Sequence, residues 1–200
     1  IWTRIRENSV ERVDVMYERA LNIAKGAALM TGTKYETKLI SGIYEILVNR
    51  TGAEAMQKNL ETLGEIVYTK DEINYANKIL KETGKPQNGL NGKVTPLQET
   101  LPAQGGSTDV VDVSQVVPTI RMSATVASDG GPWHSWAVVA CTGMSIGHKG
   151  MIYAAKALSM TMADLYTDPK LVEAVKNDYK KNKSSKPYKP RILPGPPSLE

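Results

Sequence analysis

The sequence predicts an α/β fold, and three features carry that expectation. Residues 1–6, 33–48 and 116–126 read as strands, by alternation or by enrichment in β-branched and aromatic residues, and they are interleaved with segments of helical period. The first two of these strands flank one amphipathic helix, the order of a small sheet backed by a helix. Hydrophobic residues make up 41% of the 200, enough for a packed core. Phenylalanine is absent, so Tyr, Trp, Met and Leu must fill the large core positions.

Each element has a local reason. Ile1 to Arg6 alternates apolar and polar side chains, as a half-buried strand does. The chain opens on this run without methionine, which suggests a piece of a longer protein, and Leu199-Glu200 reads as a cloning remnant. Asn8 and Glu11 have capping-box spacing, with Asn8 as the cap. The helix that follows carries Val13, Tyr17, Ala20, Leu21, Ala24 and Ala28 on one face and ends where Gly32 can turn left-handed. Thr33 to Val48 reads as a strand bent at Gly42. A second helix, Ala53 to Leu63, turns Met56, Leu60 and Leu63 inward and closes at Gly64. Thr69-Lys-Asp-Glu72 is a capping box opening a third helix, with Ile73, Ala76, Ile79 and Leu80 inward and its end at Gly84.

Residues 85–104 are polar and interrupted by Pro and Gly, a long loop. Residues 128–165 hold both histidines, the single cysteine and two of the three tryptophans. Asp129-Gly-Gly-Pro132 breaks the chain ahead of Trp133-His134, and a helix after Gly147-His-Lys-Gly150 repeats Ile152, Ala155, Leu158, Met162 and Leu165. Pro169 suits the first position of a last helix bearing Leu171, Val172, Val175 and Tyr179. A solvated basic run and a proline-rich, extended tail from about residue 186 finish the chain.

Bulk properties exclude several classes. The net charge of +4 lies largely in residues 176–191, a solvated tail with few aromatics and no face for nucleic acid. One cysteine forbids an internal disulfide, which points to the cytoplasm. The sequence has neither an apolar run long enough to span a membrane nor a signal peptide, so no membrane partner is expected.

The candidate site residues keep two readings each. His134, on a glycine-bounded loop, can ligate a metal or simply be satisfied in a polar turn. Asp109 and Asp112 can support a metal or a substrate amine, or cap a turn. His148 with Lys149 can bind a substrate carboxylate or only start a helix. Cys141, among small apolar neighbours, reads as core.

Several stretches together resemble a known family: Asn22-Ile-Ala-Lys-Gly-Ala-Ala-Leu-Met-Thr-Gly-Thr, Gly106-Ser-Thr-Asp-Val with Asp112-Val-Ser, Trp133-His-Ser-Trp, Ile146-Gly-His-Lys-Gly-Met with Ala154-Ala-Lys, and the Lys186-Pro-Tyr tail. The chain resembles the C-terminal half of an amidohydrolase of the p-aminobenzoyl-glutamate hydrolase type, in the dinuclear-zinc aminoacylase and carboxypeptidase superfamily. That resemblance implies that residues 1–48 end a ferredoxin-like lid that also dimerises, and that 49–200 return to an α/β catalytic domain. It implies two zinc ions, with manganese as the alternative metal, and hydrolysis of the amide bond of an N-acyl amino acid or dipeptide-like substrate. On the same footing His134 is a metal ligand, Arg6 a bidentate partner for the substrate carboxylate, and Asp109 and His148 substrate-contacting residues. The other metal ligands and the catalytic base fall in the half not represented here, so this chain alone is expected to be inactive. A homodimer through the lid, a second hydrolase subunit, or a metal-free dimerisation or binding module are the partner and rival readings.

Overall fold

The computed structural model describes residues 1–99, 106–185, 187–192 and 194–195. Every regular element among them is a helix: α1 (Val10–Thr31), α2 (Arg50–Leu63), α3 (Lys70–Glu82), α4 (Val110–Val116), α5 (Trp136–Thr142), α6 (Ser145–Thr167) and α7 (Pro169–Asn182). The α/β expectation is therefore overturned, and with it the sheet implied for the lid. Residues 1–6, 33–48 and 117–126 form no ladder with any described residue. The physical reason is that alternation specifies only which side chains share a face. A strand also needs a neighbour for its backbone groups. Here those groups make isolated bonds instead, such as Leu47 N–H to the Ser114 hydroxyl at 2.8 Å.

The helix limits follow local chemistry. α1 is capped by Ser9, whose hydroxyl accepts from Arg12 N–H, rather than by Asn8 one residue earlier, and it ends at Gly32 with φ of 63° as expected. α2 starts three residues earlier than the periodicity suggests, because the Asn49 side chain accepts from Gly52 N–H at 2.8 Å. The capping box at Thr69 and Glu72 forms in full. α7 has Pro169 at its first position. The loop expected over 85–104 is irregular over its described part, and 100–104 lie outside the described residues, as do 186, 193 and 196–200 of the tail.

The chain divides into two compact units. The first comprises Ile1–Val48 with the described residues of Thr100–Thr119 and Tyr179–Glu200. In it, Glu45 accepts from Val10 N–H at 3.0 Å and the Gln115 amide donates to the Glu45 carbonyl at 2.8 Å. Tyr179 donates its hydroxyl to the Gln115 carbonyl at 2.9 Å, and Arg191 pairs with Asp14.

The second unit comprises Asn49–Glu99 and Ile120–Asp178. Its centre is Ala76, Ile79, Ala137, Cys141 and Ile146, flanked by Tyr68, Tyr75 and Leu90. α6 packs against α2 and α5, and α3 against α5. A Cβ on Gly150 would run into the Thr125 carbonyl and the Val126 side chain, so only glycine permits this approach of α6 to the preceding segment. Between α2 and α6 the buried Asn59 donates to Thr161 Oγ1 at 3.0 Å and to Asp164 Oδ2 at 2.7 Å.

One stripe faces the other way from expectation. The buried residues of α6 are Ile146, Gly147, Gly150, Ala157 and Thr161, whereas Ile152, Ala155, Leu158 and Met162 are exposed and Leu165 is half-buried. The helix is apolar on two sides, and periodicity does not say which side meets the core.

Candidate functional site

The loop that carries His134 is built from local bonds. Asp129 N–H donates to the Gly89 carbonyl at 2.9 Å, Gly130 turns with φ of 80°, and the Ser135 hydroxyl donates to the Pro132 carbonyl at 2.6 Å. Ser135 also caps α5, accepting from Ala137 N–H at 3.3 Å. Between these anchors His134 takes φ of 58°, the one left-handed non-glycine among the described residues. Such a conformation is uncommon for a side-chain-bearing residue and is held here by bonds on both flanks. The imidazole is exposed, and so is Trp133 beside it.

His148 lies near the start of α6, exposed, with its N–H donating to the Met144 carbonyl at 3.1 Å. Its neighbour Lys149 is committed elsewhere. The ammonium donates to Glu72 Oε2 at 2.6 Å and to the Val67 carbonyl at 3.0 Å, and lies 5.6 Å from the centre of the Tyr68 ring. Lys149 thus does not join His148 as a free anion-binding pair. Glu72 is buried and fully engaged: Oε1 accepts from the Ser145 hydroxyl at 2.6 Å and Oε2 from Thr69 N–H at 2.6 Å. Burial alone would raise its pKa. The hydrogen bonds from Lys149, Ser145 and Thr69 outweigh it and bring the carboxyl down to about 2.

The Lys149 ammonium and the Ser145 hydroxyl both donate to the Glu72 carboxylate, so the trio is an anchor and not a nucleophile with its base. It joins the start of α3 to the start of α6 and brackets His148 with two fixed residues, 145 and 149. Burial, with the Glu72 charge added, also pushes the Tyr68 hydroxyl up to about 12, and that hydroxyl donates to the Thr125 carbonyl at 3.0 Å. The sequence marked Glu72 only as the partner of Thr69 in a capping box. Nothing in the spacing of residues 72, 145 and 149 announces that they meet.

Arg6 and Asp109 belong to the first unit and are exposed. Asp109 sits at the N-cap of α4 in helical conformation, with no side-chain cap bond. Arg6 lies in irregular chain ahead of α1. His134 and His148 belong to the second unit. An open hollow lined by Lys25, Ala28, Leu29, Thr33 and Tyr35 at the end of α1 contains none of the four. Among the described residues no group of three or more His, Cys, Asp or Glu side chains gathers to hold a metal ion. No described helix is long and apolar enough to cross a membrane.

Comparison with known proteins adds a relationship the geometry does not supply. The chain is 31% identical over 92% of its length to a subunit of the p-aminobenzoyl-glutamate hydrolase of Escherichia coli strain K12, covering 44% of that protein. It is 26% identical over 88% of its length to Xaa-Arg dipeptidase of Mus musculus, covering 34%. The chain therefore spans less than half the length of either relative, and both relatives are named for hydrolysis. No protein-family profile matches the chain, and no solved structure matches it.

Proposed function

We propose that this chain is part of a metal-dependent amidohydrolase of the p-aminobenzoyl-glutamate hydrolase type, acting on the amide bond of an N-acyl amino acid or dipeptide-like substrate. The observation that carries the reading is the 31% identity extending over 92% of the chain. His134 is the metal donor in this reading. Its exposed imidazole on a loop fixed at both flanks suits that role, because a ligand needs a set direction and an open coordination side.

One imidazole does not make a zinc site, which takes three or four protein donors. The described residues gather no such set, so the remaining donors and the proton-transferring base come from residues outside them. Zinc, when bound, would polarise the scissile carbonyl and acidify water. The work of this chain is then to orient and bind. Arg6 offers a planar fork to a substrate carboxylate, and His148 and Asp109 offer further polar contacts. A homodimer formed through residues 1–48 belongs to the same reading.

The test uses the polypeptide encoded by the complete reading frame that contains this chain. Expected are bound zinc and release of p-aminobenzoate from p-aminobenzoyl-glutamate, both lost in His134→Ala while the thermal midpoint holds. Bound zinc and activity unchanged by His134→Ala would remove the ligand assignment. The rival reading is a non-catalytic dimerisation or binding module. A complete polypeptide that neither binds zinc nor hydrolyses any N-acyl amino acid would establish that rival.

A further inference from the structure

Tyr188 to Arg191 turn back onto the first unit and meet it from several directions. The Tyr188 and Tyr44 rings pack with centroids 5.3 Å apart and planes inclined at 54°. The Tyr44 hydroxyl donates to the Lys189 carbonyl at 3.2 Å. Arg191 pairs with Asp14 of α1, its Nη1 donating to Oδ2 at 3.2 Å, and its guanidinium lies 5.9 Å from the centre of the Tyr44 ring. Tyr188 also meets Asp112 of α4, and burial, with that carboxylate added, raises its pKa. Gly42 admits Arg191, since a Cβ there would stand 2.9 Å from the Arg191 Cβ. A ring pair, an ion pair, a guanidinium over a ring and a glycine converge on four residues, so their seat is specified and not a chance touch.

The seat is also a light one. Residues 187–192 form no ladder with any described residue, and Pro187 and Pro190 have no N–H to offer one. Pro187, Lys189 and Pro190 are exposed, and so is Ile192. The two prolines preset an extended backbone, so closure orders little that was free. A segment held by side chains over an exposed backbone sits at the low-stability end of a fold and opens without the core. Residues 33–48, on the other side of the contact, have no strand partner among the described residues. Their holds are separate ones, Leu47 N–H on the Ser114 hydroxyl and the Glu45 carboxylate on Val10 N–H. The tail supplies from the side what a neighbouring strand would otherwise give.

We infer that residues 188–191 are a strap that closes on α1 and on residues 42–44, and that its opening loosens residues 42–48 while the second unit stays shut. A stretch near the end of the chain thereby sets the order of one 145 positions earlier. Two different levers release it. Reversing either charge of the Asp14–Arg191 pair pushes Arg191 off α1, and Gly42→Ala pushes it off residue 42 with no change of charge.

The test compares the 200-residue chain with Asp14→Arg, Arg191→Asp, the two together, and Gly42→Ala. Hydrogen exchange over residues 43–48 reads the first unit, and the labelling rate of the buried Cys141 by a thiol dye reads the second. Each single variant should exchange about fivefold faster over residues 43–48, with Cys141 labelling unchanged. The doubly reversed pair should recover at least half of the lost protection, because an opposite-charge pair again joins positions 14 and 191. Exchange unchanged in the single variants overturns the inference. So does a double variant as fast as the singles, which would leave the ion pair without a part in closure. Cys141 labelling that accelerates in step with residues 43–48 overturns it as well, since the whole fold would then be loosening. Residues 43–48 exchanging at the unprotected rate in the wild type would show that no strap is closed on them.

Discussion

Replacing Lys149 by methionine keeps much of the side-chain volume and removes the cation that faces Glu72 at 2.6 Å. The Glu72 side chain is 9% exposed and cannot turn to water, so the variant strands a carboxylate in the fold. Breaking a buried pair from one side costs about 3–5 kcal/mol. Lys149 is itself a third exposed, and Ser145 and Thr69 still donate to the carboxylate. We therefore place the cost at about 2–3 kcal/mol, a fall in the thermal midpoint of roughly 4–12 °C for a chain of this size. Glu72→Gln combined with Lys149→Met should recover most of that loss, because the amide oxygen can accept from Thr69 N–H while its NH2 donates to the Ser145 hydroxyl oxygen, and no charge remains.

The pH dependence follows from the same contacts. The folded carboxyl titrates near 2, below its ordinary 4.5, so its contribution is present above about pH 4.5 and is lost as pH falls toward 2. Urea denaturation of the wild type should show stability falling across that window. The decline should be shallower in Lys149→Met. A single variant within about 0.5 kcal/mol of wild type, the scatter of a neutral surface change, would refute the view that this trio anchors α3 to α6. A double variant no more stable than the single would refute it too.

Other outcomes follow from particular contacts. Gly150→Ala forces a methyl group onto the Thr125 carbonyl, which cannot swing aside, and should cost about 3 kcal/mol or more, read as a lowered thermal midpoint or lost soluble yield. Asn59→Ala leaves Thr161 and Asp164 without their donor and should cost about 1–3 kcal/mol in chemical denaturation. Thr69→Ala removes one half of the capping box and should cost about 1 kcal/mol, with lower helicity by circular dichroism. His134→Gly relieves a left-handed backbone at an exposed position and should leave the stability within about 1 kcal/mol of wild type, so zinc lost from the complete polypeptide would report a lost ligand.

Much of the helical content was legible because helices are written locally. Gly32, the Thr69–Glu72 box and Pro169 each carry their instruction within a few residues. Residues 33–48 show the limit. Tyr, Ile, Leu and Thr there favour an extended chain, but an extended chain becomes a strand only when a second one lies beside it, and that neighbour is not a local property. α6 shows another limit. Its apolar repeat was visible, but it has two apolar sides, and the one chosen for the core is set by Gly147, Gly150, Ala157 and Thr161, whose smallness allows close packing. For the site, the loop around His134 could be read from Gly130, Gly131 and Pro132. The engagement of Lys149 by Glu72 could not, since 77 residues separate them.

Cys141 is wholly sealed beneath Ala76, Ile79 and Ile146, and it is the single thiol of the chain. A thiol-specific dye can therefore react only when α5 detaches from its neighbours. The labelling rate is a direct clock of how often the second unit breathes. The protein carries its own spectator of local opening, placed where no tag need be added and where any ligand that tightens α3, α5 or α6 would slow the reaction.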